Sequence, residues 1–172
     1  MKKRRVASGA GEQAGGSLDK EVRELTGLMF AALSRFQVIR RTFARALKLS
    51  SSEFAVVISL HDLQDGRGIR IRELAEKLHV AAANVTATVK RLEARGWVVK
   101  ALDPADSRAL SIKLDKNSRK RLDRFFETIH PVNEIWFAHV TQHDKSTTKK
   151  FFSFLIEQYP AALHQARLLN LR

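Results

Sequence analysis

Apolar residues recur every three or four positions along most of this chain, the period of helices with one buried face. Leu25, Leu28, Ala32, Phe36, Ile39, Phe43 and Leu47 set out one long helix from Leu18 to Lys48. Ser50-Ser51-Ser52-Glu53 then reads as a capping box, with Ser50 the N-cap and Glu53 three residues on. The helix it opens carries Phe54, Val57, Ile58 and Leu60 and is expected to end near Asp65-Gly66. Ile69-Arg70-Ile71 reads as a short strand. A short helix with Leu74, Ala75 and Leu78 on one stripe turns at His79-Val80-Ala81 into a second, whose stripe is Val85, Val89 and Leu92. Gly96 suits the left-handed residue that ends such a helix.

The pattern then changes. Trp97 to Leu102 and Leu110 to Leu114 read as two strands joined by Asp103-Pro104-Ala105-Asp106-Ser107-Arg108. Past them Asp115 caps a helix running to about Ile129, and Pro131 is expected to kink or restart it. Val132, Ile135, Trp136 and Val140 carry the apolar pattern onward. Thr141-Gln142-His143-Asp144 is a second capping box. The final helix, to about Asn170, bears Phe151, Phe152, Leu155, Tyr159 and Leu163, with Pro160 inside it.

Helix, turn, helix, strand, basic-tipped turn, strand is the order of a winged helix-turn-helix. The expected fold is therefore mainly α with a small β-hairpin wing, flanked by long N- and C-terminal helices. Two ordinary amphipathic helices joined by a turn are the plainer alternative, and the hairpin that follows argues against it. In a helix-turn-helix the second helix lies in the major groove. Here Ala82, Ala83, Asn84, Thr86, Ala87, Lys90 and Arg91 stand off the buried stripe, with no large apolar side chain among them. Asn84 has the chemistry to bond adenine N6 and N7, and Thr86 or an alanine methyl to touch a thymine methyl. Lys90 and Arg91 suit phosphate or guanine. The alanines at 82, 83 and 87 bring no hydrogen bonds, so much of the specificity is expected from DNA shape and thymine methyls.

The run from Glu73 to Lys113 resembles the multiple antibiotic resistance regulator (MarR) family of bacterial transcription factors. The likeness lies in Glu73-Leu74-Ala75, Val85-Thr86, Arg91-Leu92-Glu93-Ala94-Arg95-Gly96-Trp97-Val98 and Asp106-Ser107-Arg108, the last matching the family's Asp-x-Arg wing motif. In length and helix order it extends from about Leu18 to the C-terminus. Two departures stand out: His79 where the family usually has glycine, and Ala87 where its recognition helix often has arginine. The resemblance implies that Arg108 enters the minor groove while Asp106 holds it in position. It implies a homodimer held by residues 17–48 and 115–172 around a DNA-binding domain of residues 49–114, and a repressor acting on a pseudo-palindromic operator. It also implies release by a small aromatic or anionic effector, and the chain's positive charge suggests an aromatic acid or its coenzyme A thioester. Phe36, Arg40, Phe54, Ile58 and His61 are the candidate lining of that effector's pocket.

Charge and composition narrow the classes of function. The 172 residues are 44% hydrophobic, enough for a core, and carry a formal net charge of +13 with a pI near 10.6. Such a balance points to a polyanionic partner. Residues 1–16, with Lys2, Lys3, Arg4 and Arg5 ahead of a Gly-, Ser- and Ala-rich stretch, are expected to form a disordered basic arm. The absence of cysteine removes disulfides, thiolate metal sites and thiol redox sensing. No apolar run approaches the ~20 residues that span a bilayer, and the basic start is followed by no apolar stretch, so a cytoplasmic location is expected. His139 and His143 have ligand spacing, but Thr141 caps a helix between them, and no metal or other cofactor is expected. Phosphate loops, dinucleotide fingerprints and nucleophile elbows are missing, which argues against an enzyme. The remaining alternative is a winged-helix architectural or RNA-binding protein without a ligand switch.

Overall fold

The structure, a computed structural model, describes residues 10–63, 68–103 and 106–169, with side chains from residue 19 on and excluding 103–109. In chain order the elements are α1 (Ala10–Ala46), α2 (Ser51–His61), α3 (Ile71–Leu78), α4 (Ala82–Ala94), β1 (Val98–Asp103), β2 (Asp106–Leu114), α5 (Lys116–Trp136) and α6 (Gln142–Leu168). The chain divides into two compact units, residues 1–121 and 122–172. The fold class is the one the hydrophobic pattern sets out.

In the first unit α1 begins at Ala10, so the expected arm of residues 1–16 is cut short. A helix already nucleated gains one hydrogen bond for each residue it adds, which carries it back through the glycines. The arm's basic residues 2–5 lie outside the described ones. The apolar stripe of α1 changes character along its length. Leu25, Leu28 and Phe36 are exposed, Ile39 and Phe43 half-buried, and Ala44 buried. Lys48 then turns left-handed (φ 58°), and the Leu49 amide donates to the Ala44 carbonyl at 2.8 Å. This reversal sends both Leu47 and Leu49 into the core.

Ser50 starts α2 with both halves of its capping box made: the Glu53 amide donates to the Ser50 hydroxyl (3.2 Å) and the Ser50 amide to Glu53 Oε2 (2.8 Å). Glu53, Phe54, Val56, Val57, Ser59 and Leu60 are all buried, so α2 is the central post of the unit. Its C-terminal carbonyls are met from α5, where Arg119 donates to Leu63 at 3.2 Å and to His61 at 3.4 Å. The helix ends at His61, ahead of the expected Asp65-Gly66, and residues 64–67 lie outside the described ones. The strand expected at Ile69-Arg70-Ile71 reduces to a bridge between Ile69 and Ile112, two hydrogen bonds of 2.9 Å. Helix α3 already begins at Ile71 and takes the rest of that stretch.

Leu74, Val85, Val89 and Leu92 are buried where α3 and α4 meet α2, whose Val56, Val57 and Leu60 are buried as well. Small Ala75, 4% exposed, lets the helices cross closely. The wing is an antiparallel pair with Val98 opposite Leu114, Lys100 opposite Ile112 and Leu102 opposite Leu110. Its base is tied to the end of α4, the Trp97 amide donating to the Leu92 carbonyl at 2.9 Å. Over buried Trp97 lies the Arg121 guanidinium, 4.7 Å from the ring centre.

Asp115 opens α5 by accepting the amides of Asn117 (2.8 Å) and Ser118 (3.3 Å). The helix does not end near Ile129 and restart after Pro131: α5 runs on through the proline to Trp136. A proline removes one donor and crowds one carbonyl, a local defect that intact turns on both sides bridge. In the second unit Thr141 and Asp144 complete a capping box at the start of α6, which includes Pro160. His139 falls between α5 and α6 and His143 in the first turn of α6, so the two do not share a helix face. Among the described residues no group of side chains has the makings of a metal site. None of the described helices is long and apolar enough to cross a membrane.

Candidate nucleic-acid interface

The second helix of the helix-turn-helix presents the face its spacing sets out. Ala82, Ala83, Asn84, Thr86, Ala87, Lys90 and Arg91 are exposed, while Val85, Val89 and Leu92 are buried. Thr88 is buried with them, 4% exposed, its hydroxyl donating to the Asn84 carbonyl at 2.8 Å. Ala81 at the N-cap supplies no side-chain acceptor, so the first turn of α4 keeps amide groups for an acceptor from outside the helix. The turn before it is held by His79 at φ 52°, ψ 45°, whose amide donates back into the last turn of α3. At the other end Glu93 takes Lys100 Nζ at 2.6 Å, which pins α4 to β1.

In the wing, β2 begins at Asp106, with Asp103 opposite it across an irregular step in the ladder. The side chains of Asp106 and Arg108 lie outside the described ones. Leu102 and Leu110, paired across the strands, are 64% and 55% exposed and continue the wing's buried face beyond the core.

Behind α4 lies a charged cluster on the head of α2. The Glu53 side chain is 6% exposed, and its Oε2 accepts from Arg95 Nη1 at 3.1 Å while Oε1 faces Arg91 Nε at 3.7 Å. Arg95 Nη2 donates to the Lys48 carbonyl at 2.6 Å. Arg91 Nη2 donates to the Thr88 hydroxyl at 3.1 Å. Burial pushes the Glu53 carboxyl upward, but the Ser50 amide and hydroxyl and the Arg95 guanidinium outweigh it and hold the group below the usual carboxylate range. Arg91 is therefore bonded to its own protein, a constraint that spacing alone does not disclose.

Between α2, the turn and α4 there is an open cavity of about 330 Å³. Ser52 and Val56 line one side, Leu78 at the end of α3 and Val80 in the turn another, and Asn84, Ala87 and Arg91 of α4 the third. None of the five expected effector-pocket residues lines it. Of those five, Phe54 is buried, Arg40, Ile58 and His61 are half-buried, and Phe36 is exposed.

Glu53 and Thr88 are the buried polar residues around α4 that the apolar pattern passes over. Both are legible in the sequence. Positions 53, 56, 57 and 60 follow the i, i+3, i+4, i+7 template, and so do 85, 88, 89 and 92; each template is filled at one place by a polar residue that counting apolar residues skips. Arg95 leaves no such signal, because its role depends on the left-handed turn at Lys48.

Residues 49–110 match the family model of the MarR family. A MarR family protein from Bacillus stearothermophilus has a similar structure, with a TM-score of 0.66 at 15% identity over 83% of this chain and 97% of that one. A MarR transcriptional regulator from Methanosarcina mazei Go1 has a TM-score of 0.63 at 17% identity, over 81% of this chain and 99% of that one. The transcription regulator MarR from Oenococcus oeni PSU-1 gives 0.63 at 16% identity, over 77% and 98%. Among curated proteins no relative matches.

Proposed function

Through residues 49–110 this chain belongs to the MarR family, and from that premise we propose that it is a homodimeric DNA-binding transcriptional repressor, released from its operator by a small aromatic or anionic effector. The observation that carries the reading is the exposed face of α4: seven small or polar residues and no carboxylate, opposite a buried apolar stripe. Asn84, Thr86 and the methyls of Ala83 and Ala87 read base edges, and Lys90 meets a phosphate. The wing carries Arg108 to the minor groove, with Asp106 holding the guanidinium. The net charge of +13 supplies the long-range attraction.

The dimer is supported by apolar surface that the single chain leaves bare. On α1 these are Val22, Leu25, Leu28, Leu33 and Phe36. On α6 no residue is buried, and Phe154, Leu155, Ile156 and Tyr159 are all exposed. Isolated helices are marginal in water and gain stability by covering such faces. A two-fold pair sets its recognition helices about one turn of DNA (~34 Å) apart, which calls for a pseudo-palindromic operator. An effector releases DNA by preferring the geometry in which that spacing is lost.

The test is competition. A labelled duplex enriched from genomic DNA is challenged with unrelated DNA at fixed salt, and a regulator keeps its own site against a large excess. Equal displacement by any duplex supports the architectural reading instead. Arg108→Ala is expected to weaken the specific complex by more than about tenfold, roughly 1.4 kcal/mol; unchanged affinity in a gel shift refutes the role given to the wing. Aromatic acids and their coenzyme A thioesters are expected to raise the melting temperature and lower operator affinity together.

A further inference from the structure

We propose that Glu53 is a positioning residue for the recognition helix, and that Arg91, which it holds, is a strut of the protein rather than a contact to the operator. The inference rests on the DNA-binding reading above and assigns a different task to two residues of that region.

The argument starts from what holds α4 in place. Its buried stripe is Val85, Val89 and Leu92, and apolar contacts are non-directional. Such a stripe keeps the helix against α2 but leaves rotation about its own axis and small slides weakly specified. The bonds of Arg95 to Glu53 and to the Lys48 carbonyl, with the Glu53–Arg91 ion pair, tie α4 to its neighbours and limit that freedom. Two bonds inside α4 carry the line on to its first turn. The Lys48 carbonyl accepts from Arg95 (2.6 Å), Arg95 donates to Glu53 (3.1 Å), and Glu53 faces Arg91 (3.7 Å). Arg91 donates to Thr88 (3.1 Å), and Thr88 to the Asn84 carbonyl (2.8 Å). The line runs from the end of α1, across the head of α2, to the first turn of the helix that reads DNA. Glu53 is its buried centre and is itself fixed by the Ser50 amide.

Charge gives the arrangement a signature. One ionised carboxylate lies between two guanidiniums, so the trio carries one net positive charge. The Arg91 side chain is 55% exposed, yet its Nε and Nη2 are turned back toward Glu53 and Thr88. Neutralising Glu53 leaves two uncompensated cations beside the reading face and frees Arg91 to swing to a phosphate. Each phosphate that the protein neutralises steepens the salt dependence of binding, moving the slope of log K against log salt by about 0.9.

The experiment is a salt titration of binding, by fluorescence anisotropy, for wild type, Glu53→Gln and Arg91→Gln. The probes are a duplex enriched from a random library by the wild-type protein and a mixed-sequence duplex of the same length. An amide oxygen at position 53 still accepts from Ser50, so the helix cap survives the first change. For Glu53→Gln the expected result is a slope steeper by about 0.9, tighter binding to the mixed duplex and a specific-to-mixed ratio at least about tenfold lower. For Arg91→Gln the expected result is an unchanged slope and a lowered ratio. Simple loss of folded protein lowers both affinities in proportion and moves neither slope nor ratio. The proposal is overturned if Arg91→Gln flattens the slope by about 0.9, which makes Arg91 a phosphate contact. It is equally overturned if Glu53→Gln, folded by circular dichroism, keeps the wild-type slope and ratio. Wild-type protein that binds neither duplex sinks the DNA-binding reading itself, a different result from either.

Discussion

His79, at the corner between α3 and α4, holds a backbone conformation that favours glycine, φ 52° and ψ 45°. A side chain there costs about 1–3 kcal/mol of local strain, part of which glycine gives back in unfolded-state freedom. His79→Gly is therefore expected to stabilise the protein by about 1 kcal/mol, a rise of roughly 2–4 °C in Tm by calorimetry; a fall in Tm contradicts the strain. This departure from the family pattern is legible in the sequence, since a helix-helix turn of this length calls for a left-handed residue. Glu53 makes the second prediction at this scale. Its folded pKa lies below the ordinary value of 4.5. Its stabilisation is thus complete above that value and lost as pH falls through the folded pKa. Wild type is expected to be more stable than Glu53→Gln near neutrality, and the gap to narrow as melting is followed downward in pH below 4.5. A gap independent of pH assigns the difference to packing instead of charge.

Among the elements, those with strong local signals are the ones the sequence makes readable. Both capping boxes, the cap at Asp115 and the glycine stop at Gly96 (φ 70°) stand where residue chemistry puts them. The discrepancies arise where a local rule meets a longer-range one. Pro131 on its own reads as a kink or a restart, yet α5 continues without restarting, because one lost hydrogen bond is small against a 21-residue helix. Ile69-Arg70-Ile71 has the pattern of a strand, but the strongly amphipathic α3 claims Ile71 and leaves Ile69 a bridge to Ile112. That bridge needs Gly68 beside it: a Cβ there would run into the side chain of Ser111, which is 2% exposed and has no room to yield. Gly68→Ala is expected to cost about 1–3 kcal/mol, seen as a lower midpoint in urea. An unchanged midpoint shows that the wing base relaxes freely.

For the molecule as a whole, the N-terminal part of α1 and all of α6 carry more apolar surface than one chain covers. The surplus is readable from the length and stripe of the first helix; which residues stay bare is not, because that depends on where α1 meets α2. Ile156, 71% exposed, tests the homodimer without disturbing the chain's own core. Ile156→Glu is expected to weaken self-association by about 2 kcal/mol or more, about thirtyfold in Kd, measured by sedimentation equilibrium. A wild-type chain that sediments as a single subunit at working concentration contradicts the dimer outright. The proposed effector site is the least legible part, since a pocket depends on packing across elements that periodicity does not fix. The measurement that bears most directly on the central claim is selection of bound fragments from the organism's own DNA by the wild-type protein. The account predicts enrichment of a pseudo-palindrome whose half-sites lie about one helical turn, ~34 Å, apart; fragments enriched with no common sequence, or with a single unpaired half-site, would contradict it.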